Sequence, residues 1–331
     1  MTHHGGTDVL LTVDTELSAG LHQQGFSPVD NFNSSILGRC DAGDFGIVHQ
    51  MECLDEYGHK GVFFVDPMPA LVYGEQIIAD IVGPIIERGH EVQLHIHTEW
   101  LEWAKHSPVE NRQGRNLSDF DIGDQIRLLT LANNILTNAG AQRPTAFRAG
   151  NFGANDDSLR ALHHAGLIWD SSFTPCSAIT NCKIDISEDQ IAPIQKHDIV
   201  ELPVAGIMSS PEKIRPAQIC ALSSAEMEAA MDHASAEGHP VFVIVTHSFE
   251  MLSRDRFRVN HLVVKRLEQI AAHIAACDNL QTSGFAQLSS KKMLADREGL
   301  TRLNPKKFRT TMRMAEQLWS RWRFERSLNP V

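Results

Sequence analysis

Gly89-His90-Glu91-Val92-Gln93-Leu94-His95-Ile96-His97 is the stretch that decides the fold. Val92, Leu94 and Ile96 alternate with Gln93, His95 and His97, which is the period-two pattern of an extended strand. The two histidines therefore share one face and the aliphatic residues the other. An earlier stretch, Val9-Leu10-Leu11-Thr12-Val13-Asp14-Thr15-Glu16, is built the same way, with Val9, Leu11 and Val13 opposite Asp14 and Glu16. Each strand thus ends in a pair of metal-capable side chains aimed one way. Two imidazoles and a carboxylate, with a second carboxylate nearby, form the donor set of a catalytic zinc or similar transition-metal site. Either pair alone could be an unrelated polar strand tip. Their occurrence together, each after a clean apolar strand, favours a site.

Outward from these two stretches the chain repeats strand, loop and helix. Apolar, β-branched runs fall at 9–13, 61–65, 91–96, 145–147, 167–169, 199–202, 241–245 and near 280–282. Helical patterns lie between them at 45–57, 75–88, 122–138, 156–164, 225–237 and 260–276. Ser223 with Glu226 forms a capping box, and Gly89, Gly140, Gly166 and Gly238 stand where helices should stop. Strands that alternate with single helices call for parallel pairing through crossover helices. Segments 98–120 and 171–198 are too long for simple connections and are expected to shape a site or carry small local elements.

With 331 residues the chain can bury a large α/β core. No run approaches the roughly 20 apolar residues of a membrane-spanning helix. No secretory signal is visible, and the six scattered cysteines form no CxxC pair, so reduced thiols and a cytoplasmic location are expected. The net charge of −11 is unevenly spread: residues 291–326 hold eleven basic and four acidic side chains. The acidic remainder argues against nucleic acid as a partner. Segment 304–324 reads as a basic helix with Phe308, Met312, Leu318, Trp319 and Trp322 near helical spacing. It is expected to pack on the body with its arginines in water; the alternative is a peripheral membrane or protein contact.

The remaining unusual polar residues also fall at strand ends. Arg148, Asp170 and His247 follow the runs at 145–147, 167–169 and 241–245, on the rim where catalytic groups of barrel-type α/β folds gather. His233, His239, His261 and His273 have no partner at ligand spacing and are set aside. Glu201, before Pro203, could line a substrate cleft, but strand termination is favoured.

In this order, Thr12-Val13-Asp14-Thr15-Glu16, Gly89 to His97, Phe147-Arg148-Ala149-Gly150-Asn151-Phe152-Gly153 and Thr246-His247-Ser248 resemble the motifs of the polysaccharide deacetylase superfamily, over about residues 7–285. The resemblance implies a distorted (β/α) barrel of about seven parallel strands over 1–288, with 289–331 as a helical C-terminal extension. It implies metal-assisted amide hydrolysis: Glu16, His95 and His97 as ligands to a divalent ion, zinc foremost, and Asp14 as general base. Arg148 would hold Asp14 ionised, His247 would act as acid toward the leaving amine, and Asp170 would orient a neighbour. The substrate class implied is an N-acylated amino sugar or its conjugate, possible in surface polysaccharide assembly.

The chain departs from the family pattern in several places. Thr15 replaces a second aspartate, and Glu16 takes its place on the Asp14 face. Glu99 stands four residues after His95, where the family has a histidine. Either the backbone stays extended and His97 is the ligand, or it turns and Glu99 joins His95; the strand parity favours His97. Ala149-Gly150 replaces prolines. A second reading within the superfamily is hydrolysis of another C–N bond, as in allantoinase-like members. Thr15 and the missing histidine at position 99 keep open a third, a catalytically silent carbohydrate-binding barrel.

Overall fold

A computed structural model describes residues 6–110, 112–176, 180–210, 213–304, 306–320 and 323–324. Strand β1 (Thr7–Thr15) leads into two short helices, α1 (Ala19–Gln23) and α2 (Pro28–Ser35). A small antiparallel pair, β2 (Arg39–Cys40) and β3 (Gly43–Asp44), precedes α3 (Ile47–Glu56). The alternation continues with β4 (Val62–Val65), α4 (Ala70–Tyr73), α5 (Gln76–Glu87), β5 (Glu91–Ile96), α6 (Ile122–Asn138), β6 (Ala146–Ala149), α7 (Asp156–His164) and β7 (Trp169–Asp170). Next come β8 (Ile194–Lys196), β9 (Ile199–Glu201) and the antiparallel pair β10 (Gly206–Ser210) and β11 (Lys213–Pro216). The chain closes with α8 (Ser224–Ala236), β12 (Val241–His247), α9 (His261–Ala276), β13 (Leu280–Thr282), α10 (Ser290–Met293) and α11 (Lys307–Ser320). Every long strand and helix expected from periodicity is present. Parallel strands linked by helices give the distorted (β/α) barrel class that the motifs implied.

The chain divides into two compact units, one of residues 1–61, 205–282 and 299–331, the other of 62–204 and 283–298. In the first, β1 pairs in parallel with β12 on one edge and β13 on the other. Its core joins Val9 and Leu11 to Phe242, Ile244, Met231 and Ile270. In the second, β4, β5, β6, β7 and β9 pair in parallel in that order, and β8 closes the edge antiparallel to β9. All nine residues of β1 are buried. The face opposite Val9 and Leu11 is therefore not a solvent face; Thr12 belongs to it and donates its hydroxyl to the Ile244 carbonyl at 2.6 Å. Parallel strands in a barrel-type fold bury both faces, one under the helices and one in the interior.

Helix boundaries follow the sequence signals. Ser223 accepts from the Glu226 amide while Glu226 bonds back to the Ser223 amide, closing the expected capping box. Gly89, Gly140, Gly166 and Gly238 all have positive φ (72°, 101°, 83° and 75°), which ends each helix where a side chain would be strained. The two long segments carry local elements: 3₁₀ turns at Thr98–Glu102 and Leu117–Asp119 in the first, and β8 in the second. No helix among the described residues is long and apolar enough to cross a membrane.

Helix α11 docks in the reverse of the expected sense. Arg313, 4% exposed, donates Nε to Glu226 at 3.1 Å, and Glu316 accepts from the Arg266 guanidinium at 2.8 Å. Phe308, Leu318 and Trp319 face outward at 75%, 66% and 50% exposure. Glu226 explains the inversion: it is committed to the α8 cap while buried, and a buried carboxylate needs a cation more than the surface needs Arg313. Trp322, Arg321 and Arg326 lie outside the described residues. Arg313→Ala should strand the Glu226 carboxylate and cost about 3 kcal/mol, read as a thermal midpoint lowered by several degrees. The Arg313→Met, Glu226→Gln double variant should recover most of it. An unchanged midpoint in Arg313→Ala would contradict the pairing.

Candidate active site

The residues nominated by sequence divide between the two units. Asp14, Glu16 and His247 belong to the first; His95, His97, Arg148 and Asp170 belong to the second. Asp14, His95 and Arg148 are each the penultimate residue of a strand, Asp170 and His247 each the last, and Glu16 and His97 stand one residue beyond.

In the first unit the parallel register sets Asp14 directly beside His247, and the Ser248 amide donates to the Asp14 carbonyl at 2.9 Å. Asp14 is 4% exposed. Gln50, wholly buried on α3, donates its amide to the carbonyls of His247 and Ser248 at 3.0 and 3.2 Å, fixing the turn after β12. Glu250 then closes that turn: one carboxylate oxygen accepts the His247 amide at 2.9 Å and lies 3.1 Å from its Nδ1. Burial works against a charged ring here. The Glu250 hydrogen bond and the charges of Glu250, Asp14 and Glu16 outweigh it, and the His247 pKa is raised to about 9. The ring stacks on Phe249, whose other contact is Arg256, its guanidinium 4.1 Å from the ring centroid. Arg256 has φ of 60°, donates to the Ser35 hydroxyl at 2.7 Å and feels the Glu16 carboxylate. Neither Glu250 nor Arg256 was singled out from sequence. Glu250 could have been, since three residues after a strand-end histidine is one turn's reach; Arg256 carries no local signal.

In the second unit the backbone stays extended through His97 (φ −105°, ψ 109°) and turns only at Thr98. The strand parity therefore survives one residue past β5, and the rings of His95 and His97 meet at 4.9 Å between centroids. Each ring is held by Nδ1: His95 lies 2.8 Å from the Arg148 carbonyl and His97 3.0 Å from a Glu99 carboxylate oxygen. A carbonyl accepts only, so Nδ1 of His95 carries the proton and Nε2 the lone pair. Glu99 spends one oxygen on His97 and the other on Arg115, and its pKa is lowered, first by the His97 hydrogen bond. Glu99 thus orients His97.

Arg148 is fully buried, with Nε on the Ser171 carbonyl at 3.1 Å, Nη2 on the Ser171 hydroxyl at 3.2 Å and the guanidinium 4.5 Å over the Phe64 ring. Asp170, equally buried, accepts from the Ser172 hydroxyl at 2.7 Å and amide at 3.2 Å. Ser172 in turn receives the Ala149 amide at 2.9 Å, so Asp170 anchors the loop after β6. Register also sets Glu201 beside Asp170. Burial pushes both carboxyls up, Glu201 further because the Asp170 charge adds to it. Glu201 is more than a strand terminator, and at zero exposure it lines no cleft. Gly150 has a local reason too: a Cβ there would stand 2.6 Å from the Ile96 carbonyl and 2.9 Å from the His97 ring. The Ala149-Gly150 departure is fitted to the His97 position.

For metal-free protein, His247 should stay charged to about pH 9 in an NMR titration, because a raised pKa keeps the cation to higher pH. Glu250→Gln should bring the transition down by more than one unit. A wild-type transition near 6.5, or one indifferent to Glu250→Gln, would contradict the pairing.

No family model matches the chain, and no curated protein matches it. Among solved structures, a Mycobacterium smegmatis protein assigned as a polysaccharide deacetylase superposes with a TM-score of 0.58 at 17% identity, over 92% of this chain and 96% of its own. The 4-alpha-glucanotransferase of Thermococcus litoralis gives 0.52 at 12% identity, over 91% of this chain and 41% of its own. At such identities the likeness is one of fold, and one fold hosts several chemistries. The fold of this chain is that of the polysaccharide deacetylase barrel, the family its motifs resemble.

Proposed function

We propose that the chain is a metal-dependent hydrolase that removes an N-acetyl, or other N-acyl, group from an amino sugar or its conjugate. The observation that carries this is the pair His95 and His97, adjacent imidazoles each tied at Nδ1 to an oxygen acceptor, as ligand histidines are. The resemblance of the motifs adds the Glu16 carboxylate as the third ligand, a donor set suited to one divalent ion, zinc first among candidates. Such an ion supplies Lewis acidity toward an amide carbonyl and toward water.

The chain's own groups supply the proton transfers. Asp14 takes a proton from the attacking water. His247, charged up to about pH 9 beside Glu250, returns one to the departing nitrogen, which cannot leave as an amide anion. Arg148, clamped by Ser171 and Phe64, holds a fixed positive charge, which the motif resemblance assigns as the partner of the base. Asp170 and Glu201 act through Arg148 and the 149–153 loop as positioning residues. A cytoplasmic precursor of a surface polysaccharide is the substrate context that best suits a chain whose described cysteines are all free thiols.

The test is acetate release from N-acetylhexosamine conjugates by zinc- or cobalt-loaded protein. His95→Ala should lose both the ion and turnover, whereas His247→Ala should keep the ion and lose 10²-fold or more in kcat. Stoichiometric metal at the site in His95→Ala would defeat the ligand assignment. Turnover of a cyclic amide or ureide in place of acetate release would favour the other C–N hydrolase reading.

A further inference from the structure

The first unit holds a second convergence of donor atoms, at the C-terminal end of α9. His273 and Cys277 are four residues apart, so a helical turn sets them on one face, and Asp232 reaches across from α8. Sequence reading set His273 aside for want of a partner at ligand spacing, yet Cys277 stands at that spacing. The Asp232 carboxylate lies 2.8 Å from His273 Nε2, and the Cys277 sulfur lies 3.7 Å from the same nitrogen. All three ligand atoms fall within 4.8 Å of one another. Glu228 and Asp278 add negative charge around the thiol.

We propose that Asp232, His273 and Cys277 bind a borderline-soft divalent cation, such as zinc or cobalt, that clamps the end of α9 to α8. The donor types are one imidazole nitrogen, one thiolate sulfur and one carboxylate oxygen, with water completing a tetrahedron. The 3.7 Å between sulfur and Nε2 suits two ligands on one tetrahedral ion, and the carboxylate, now at hydrogen-bonding distance from Nε2, has to open by only about half an ångström to admit the ion. The ion takes the place of the protons now shared around Nε2, and the thiol proton leaves to solvent. A lone surface ion pair between Asp232 and His273 is the competing description. It gives the sulfur no role.

Sulfur provides the discriminating readout. The ligand set proposed for the hydrolytic ion, Glu16, His95 and His97, contains none. Titration of reduced, metal-free protein with cobalt(II) chloride should give a near-ultraviolet sulfur-to-cobalt charge-transfer band that saturates by two equivalents, one for each proposed site. Cys277→Ala should abolish the band, and His273→Ala and Asp232→Asn should each weaken cobalt binding at least tenfold. All three variants should retain the wild-type circular dichroism spectrum, since these side chains lie at the surface. Acetate release should be unchanged in all three, so failure here and failure of the hydrolase reading are separable. Absence of the band in wild-type protein, or its persistence in Cys277→Ala, would overturn the proposal.

Discussion

An imidazole has one lone pair to give, and its other nitrogen decides which. For His95 that decision is made by the Arg148 carbonyl, 2.8 Å from Nδ1, and for His97 by Glu99 at 3.0 Å. Both contacts depend on β5 and its surroundings: the parallel register that sets His95 opposite Arg148, and an extended residue 97 followed at once by a 3₁₀ turn that brings Glu99 back. A backbone that turned one residue earlier would separate the rings. Gly150 shows how little room the arrangement leaves, because even a methyl group there would collide with the Ile96 carbonyl and the His97 ring.

Beneath the histidines lies a buried polar network that the fold must support. Arg148, Asp170 and Glu201 have no solvent exposure. Two carboxylates and one guanidinium would leave a net negative charge in a low dielectric, at a cost of several kcal/mol. One proton held by the carboxyl pair removes that excess, leaving one anion beside one cation. Ser171 bonds to Arg148 and Ser172 to Asp170, and Ser172 passes the order of Asp170 to the Ala149 amide. Rigidity of this kind serves a guanidinium that has to stay in one place.

Much of this was legible in the residues. The long strands and helices announce themselves because their apolar spacing repeats over enough residues, and the glycines that stop four helices could be read as punctuation. Asp14, His95, Arg148, Asp170 and His247 were expected at strand ends and are there. Other features depend on register and three-dimensional packing, which spacing does not encode. Asp170 meets Glu201 only because β7 and β9 pair at that offset, and Arg256 reaches Phe249 through a left-handed backbone with no glycine to announce it. The docking of α11 was inverted because its stripe of Phe308, Leu318 and Trp319 suggested a core face. The buried carboxylate that claims Arg313 lies 87 residues away in sequence.

X-ray absorption at the zinc edge addresses the central claim most directly. It is best carried out on protein bearing Cys277→Ala, so that one ion class remains. Two imidazole nitrogens and oxygen at about 2.0–2.1 Å, with one imidazole lost in His97→Ala, is the coordination expected of this site. A shell of oxygens alone, or a spectrum that His97→Ala leaves unchanged, would contradict it.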